Sequence, residues 1–174
     1  MDFFEVVHLR YSHKDGFLSD QVPREHLEQI AAAGLAAPTG CNAQVVSLVI
    51  IDSEPVLGQL RQLVPTQGIK TAPAVIAVVT DSAPVMQQTS FQVEDYSAAT
   101  TTMLLAATAL GYASVWLDSP LTKIDVQKQA CELLGVPKGH KIWVFLPIGK
   151  PDGGSRRCKL PFIERVFYSR MKKH

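Results

Sequence analysis

Net charge is nearly absent from this 174-residue chain, at +1. No overall basic field exists to hold nucleic acid, and no acidic run exists to repel it, so any anion site must be local. Cysteine is sparse as well. Cys41, Cys131 and Cys158 lie far apart with no CxxC or Cys/His metal spacing, which argues against a disulfide framework or zinc site and fits reduced thiols. The opening MDFFEVVHLR carries acids and no apolar core segment, so neither a signal nor a transit peptide is expected and the cytoplasm is the expected compartment. No period recurs and no low-complexity tract is present, which argues against a solenoid. There is no GxGxxG after a strand, no P-loop, no HExxH and no GxSxG. Rossmann dinucleotide binding, P-loop hydrolysis, zinc proteolysis and α/β-hydrolase chemistry lose their main support.

What is present is ordinary globular composition, 47% apolar and 19% charged, in a length suited to one domain over residues 1–174. Phe3, Phe4 and Val7 with charges between them predict a short helix, and Pro23 opens a second over 24–37 that stops at Pro38-Thr39-Gly40. Short β-branched or apolar runs at 45–51, 74–80, 113–117 and 142–148 read as buried strands. Helical composition lies between them at 54–63, 96–110 and 123–134, so the class is α/β or α+β with a sheet covered on both faces. Residues 96–117 carry no charge, yet six Ser or Thr and Gly111 speak against a membrane span. Burial within one monomer, or between the sheet and a second subunit, accounts for such a helix equally well.

Three places concentrate polar chemistry. In Arg10-Tyr11-Ser12-His13-Lys14 the alternating Arg10, Ser12 and Lys14 would share one side of an extended segment, a possible phosphate seat or simply a solvated cluster. Arg156, Arg157 and Lys159 form a second basic cluster after the turn Pro151-Asp152-Gly153-Gly154, with the same two readings. The third is the small-residue loop 36–44, holding Pro38, Thr39, Gln44 and the chain's only asparagine, Asn42. Its amides suit the donors and acceptors of a flat heterocycle, and they equally suit a self-bonded turn.

Taken in order, these places resemble the FMN-dependent nitroreductase family. Arg10-x-Ser12-x-Lys14 is similar to the family's basic-x-Ser-x-basic opening, and Ala37-Pro38-Thr39 with Asn42 and Gln44 resembles its Ala-Pro-Ser-x-x-Asn-x-Gln signature. The uncharged run, then Leu110-Gly111-Tyr112 and Trp116-Leu117-Asp118-Ser119, looks like its dimer-core helix and flavin-covering loop. Gly135-Val136-Pro137, Pro147-Ile148-Gly149-Lys150-Pro151 and Arg157-x-Lys159-Leu160-Pro161 complete the pattern over about 150 residues. Thr39 stands where Ser is usual, and Lys14 where Arg often stands; both keep donor chemistry.

The resemblance implies an α+β fold, a three-layer α/β/α sandwich around a mixed, largely antiparallel sheet, in a domain-swapped homodimer. It also implies tightly bound FMN, with Arg10, Lys14, Arg157 and Lys159 on the phosphate, and Tyr11, Ser12 and Asn42 bonding the flavin. Pro38, Thr39 and Gln44 would come from the neighbouring subunit. Trp116, Leu117, Asp118 and Ser119 would pass over the ring near N5, and Gln67 and Lys70 lie where a further ring contact is often supplied. The implied reaction is ping-pong: NAD(P)H reduces the flavin, leaves, and is replaced by a nitroaromatic, quinone or similar small acceptor, with no side-chain nucleophile. Reductive dehalogenation, flavin breakdown, or FMN binding without turnover are the alternatives on the same fold. A thiol enzyme using Cys41 with His13 or His8 is the alternative of another class.

Overall fold

The computed structural model describes residues 1–81, 90–154 and 157–171. Helix α1 (Phe3–Leu9) starts where the Asp2 side chain accepts from the Glu5 amide at 2.9 Å, satisfying one of the unpaired donors of the first turn. Helix α2 (Arg24–Leu35) follows Pro23, buries Leu27, Ile30 and Ala31, and ends at Ala36. Strand β1 (Val46–Ile51) leads to α3 (Glu54–Leu63), which has Pro55 in its first turn, where a missing amide costs nothing. Then come α4 (Gln67–Thr71), β2 (Ala74–Asp81), α5 (Gln92–Ala109), β3 (Ala113–Ser114), α6 (Ile124–Leu133) and β4 (His140–Gly149).

The strands form one sheet in the order β1-β2-β4-β3, every pair antiparallel. A single parallel bridge, Ser12 with Ser114, extends it at the β3 edge and gives it a mixed character. Strand β2 is central, and its period of two sorts it between two cores. Val75, Ala77 and Val79 face α3, α4 and α6 with Phe145, while Ala74, Ile76 and Val78 face α2 and α5 with Met103 and Leu146. The result is the expected three-layer sandwich. Fully buried Phe145 would cost about 3–5 kcal/mol if cut to Ala.

One irregularity shapes an edge of the second core. Val78 pairs with Val144 but Val79 with Ile142, so Trp143 is an extra residue on β4 and leans to the same side as Val144. Its indole N–H donates to the Thr80 hydroxyl at 2.7 Å, and its ring stacks on Tyr96 of α5 at 4.8 Å.

The structure corrects several sequence expectations. Helix α4 was not expected, because five residues with a glycine are too short to show a period. Strand β3 spans two residues rather than 113–117, since beyond Ser114 only Leu117 re-pairs, with Phe145. Helix α5 begins at Gln92, four residues before the uncharged run, because Glu94 and Asp95 suit a helix N-terminus. Among the described residues no helix is long and apolar enough to cross a membrane, and no His/Cys/Asp/Glu group could hold a metal ion.

Candidate functional site

The two basic clusters meet at the β3 edge, and backbone hydrogen bonds explain how. The His13 amide donates to the Ser114 carbonyl at 3.0 Å, fixing the first segment to β3. Leu18 N–H donates to Lys150 O at 2.9 Å and Asp152 N–H to Gly16 O at 3.0 Å, fixing the same segment to the chain leaving β4. Because β3 and β4 are neighbours, residues near the two ends of the sequence lie side by side.

His13 locks this junction. It is fully buried, its Nε2–H donates to Gly16 O at 2.7 Å, and its Nδ1 lies 3.3 Å from the Tyr11 hydroxyl. A carbonyl only accepts, so Nε2 carries the proton, and in the neutral ring Nδ1 accepts from Tyr11. The ring is also the surface on which the second turn rests. A Cβ on Gly154 would sit 2.9 Å from His13 Nδ1, and its φ of +99 is one that side chains rarely adopt, so only glycine fits. The sequence offered His13 only as a partner for Cys41 in a thiol enzyme, not as the buried residue that joins two segments.

The junction opens into a cavity of about 920 Å³. Arg10, Lys14, Arg157 and Lys159 line it with the hydroxyl residues Tyr11 and Ser12; Asp15 is its one acid among the described residues, and Phe4 and Val7 of α1 add an apolar wall. Four cations against one carboxylate suit a phosphate dianion, held by charge-assisted hydrogen bonds. The sequence also singled out Arg156, which lies outside the described residues.

Helix α4 adjoins this region. Phe17 N–H donates to Thr71 Oγ1 at 2.9 Å, and a Cβ on Gly16 would meet Gln67 Nε2 at 3.4 Å. On the other side, a Cβ on Gly68 would meet Val115 and Leu117 at 3.6 and 3.8 Å. Gln67 thus stands beside the 10–17 segment, while Lys70 is exposed on the same short helix. Trp116 is half-buried against Tyr96, their ring centroids 5.9 Å apart, and Asp118 and Ser119 are exposed. The Tyr96 hydroxyl has its pKa raised above 10.0, first by burial and then by the nearby Asp118 carboxylate, against a lowering hydrogen bond from Ser97. Sequence reasoning did not single out Tyr96 or Trp143, since their stacking crosses from α5 to β4.

The loop 36–44 is not brought to this cavity within one chain: none of Pro38, Thr39, Asn42 or Gln44 lines it. Asn42 and Gln44 are exposed, with φ of 55 and 53. Cys41, at φ 53, is exposed too, and His13 has both ring nitrogens engaged elsewhere, so it is not poised to activate a thiol.

The sequence profile of the nitroreductase family matches residues 7–64 and 56–150. The chain belongs to the nitroreductase family. A protein of Archaeoglobus fulgidus with the provisional name NADH dehydrogenase/NAD(P)H nitroreductase is 30% identical over 132 residues, 75% of each chain. The fold is similar to nitroreductase A from Vibrio parahaemolyticus, with a TM-score of 0.82 and 23% identity over 100% of this chain and 78% of that one. It is equally similar, TM-score 0.82 and 22% identity, to the NADPH:FMN oxidoreductase of Vibrio harveyi solved with NAD+, covering 99% of this chain and 79% of that one. An FMN-dependent nitroreductase from Clostridium difficile matches over 97% and 99% of the two chains, with a TM-score of 0.81 and 22% identity.

Proposed function

We propose that this nitroreductase-family chain is an FMN-dependent oxidoreductase that takes electrons from NAD(P)H and gives them to a small acceptor such as a nitroaromatic or a quinone. The observation that carries the reading is the meeting of Arg10, Lys14, Arg157 and Lys159 in one cavity, from two clusters at opposite ends of the sequence. In this reading the four cations hold the FMN phosphate, with Tyr11 and Ser12 as hydroxyl donors beside them. Gln67, Lys70 and the segment Trp116, Leu117, Asp118 and Ser119 contact the ring from the adjoining elements. When bound, FMN supplies two-electron chemistry, first with NAD(P)H and then with the acceptor, in ping-pong order.

Residues 1–174 act as one FMN-binding domain, and the site is completed by a second copy. Helix α5 buries Ala99, Met103 and Ala107 inward, while Thr101 and Ala109 are exposed and Ala98, Leu105 and Thr108 half-buried elsewhere on the helix. The segment 157–171 carries Leu160, Phe162, Ile163, Tyr168 and Met171 at 64–80% exposure, and Phe4 of α1 is 80% exposed. Apolar surface of this extent fits a domain-swapped homodimer. The partner's loop 36–44 would then bring Pro38, Thr39, Asn42 and Gln44 to the flavin that this chain's cations hold.

The visible absorption spectrum of the purified protein, followed by anaerobic titration with NADH and NADPH, tests the reading. A flavin spectrum that bleaches with nicotinamide and returns on adding a quinone or nitroaromatic is the expected result. No flavin even after added FMN would overturn it, and flavin that neither nicotinamide bleaches would leave only a binding role or another electron donor.

A further inference from the structure

The exposed loop 36–44 is held by a buried acid on α5. Asp95 is 1% exposed, and its Oδ1 accepts from the Gly40 N–H at 2.7 Å. Its Oδ2 is buried as well and has no hydrogen-bond partner among the described residues. Keeping a half-satisfied carboxylate out of water is costly, so its placement calls for a compensating role.

The loop supplies that role. Cys41, Asn42 and Gln44 all have left-handed backbone, at φ 53, 55 and 53, a conformation that asparagine tolerates but that Cys41 and Gln44 keep only where their surroundings enforce it. The loop's own bonds, Asn42 N–H to Thr39 O at 3.0 Å and Gln44 N–H to Thr39 Oγ1 at 3.1 Å, close it on itself but do not anchor it. Gly40 anchors it, pinned between the residue that caps α5 and the helix's first turn. A Cβ there would lie 2.4 Å from the Phe91 ring, and one turn further on Asp95 takes its N–H.

We infer that Asp95 is a positioning residue: by holding Gly40 it imposes the left-handed conformations at 41, 42 and 44, and so sets the direction in which the Asn42 amide is presented to the flavin. The part concerning flavin rests on the function proposed above.

The test compares wild type, Asp95→Ala, Asn42→Ala and the double variant, with Asp95→Asn and Gly40→Ala beside them. Amide exchange is measured on FMN-free protein, and FMN affinity by flavin fluorescence. In Asp95→Ala, exchange across 39–44 should quicken while β2 and β4 stay protected, and FMN should bind about tenfold more weakly. Because Asp95 acts through Asn42, the double variant should lose little more than Asn42→Ala alone. Asp95→Asn, whose amide oxygen still accepts from Gly40, should recover most of the affinity. Gly40→Ala, which keeps the carboxylate but displaces the loop, should reproduce the loss and carries the test if Asp95→Ala fails to fold. Unchanged exchange in Asp95→Ala, or additive losses in the double variant, overturns the inference. A wild type that binds no FMN overturns the flavin reading instead, and the exchange measurement then still decides whether Asp95 holds the loop.

Discussion

The amide of Asp152 donates to the carbonyl of Gly16 at 3.0 Å, a bond between residues near opposite ends of the chain. With the Phe17–Pro151 bridge beside it, this bond turns two separate basic clusters into the walls of one cavity. Each wall supplies two cations, and only together can they reach a phosphate dianion from both sides.

Changing Arg10 and Arg157 together to Ala should therefore strip FMN. Each charge-assisted bond to phosphate is worth about 1.5–3 kcal/mol, so about a hundredfold weaker binding or more is expected from fluorescence titration. Full stoichiometric flavin in the double variant would sink the phosphate assignment.

His13→Ala should lower stability by about 3 kcal/mol in urea denaturation, because it opens a hole in a fully buried place and removes one of the two donors to the Gly16 carbonyl, leaving only the Asp152 N–H. His13→Phe keeps the volume but not the bond and should cost less. A His13→Ala protein as stable as wild type would show that the junction is held by the backbone bonds alone.

Stability should fall above pH 10 in part through Tyr96. Its folded pKa is raised above 10.0, so in the unfolded chain the phenol ionises first; its contribution is complete below that value and is lost as pH rises through the folded pKa. Tyr96→Phe, which keeps the ring stack with Trp143, should flatten the decline, and Asp118→Asn should lower the Tyr96 pKa seen in the ultraviolet titration. Identical stability profiles for wild type and Tyr96→Phe from pH 9 to 11 would remove Tyr96 from the account.

FMN binding should track dimer formation, because in the proposed dimer the cations and the Asn42 loop acting on one flavin would come from two copies. Sedimentation across a dilution series with bound-flavin absorbance should show both lost together. A stable monomer that keeps its FMN would contradict the shared site.

Cys41→Ala should leave quinone reduction within about threefold of wild type, since the redox chemistry proposed here needs no thiol. Complete loss of turnover with FMN still bound would favour a thiol mechanism.

Much of the fold was legible because it is written in local pattern. The runs 74–80 and 142–148 are apolar at nearly every position, as strands covered on both faces must be, and Pro23 and Pro55 mark helix starts. The basic residues of the candidate site were legible too, as residues. That His13 would be buried was not, because burial depends on which segments close over it. The bulge at Trp143 and the short α4 also escaped, the first being a property of pairing and the second too brief for a period.

The amino-acid order by itself determined the strand and helix alternation, the absence of an overall charge field and the basic, amide and small-residue groups available for a site. Only the tertiary structure decided that Arg10 and Lys14 line one cavity with Arg157 and Lys159, while Asn42 does not join them within the same chain. The physical reason is that period and composition act over a few residues, whereas convergence depends on the β2-β4-β3 strand order, which sets Ser114 beside the exit of β4 and draws the chain's first segment in between.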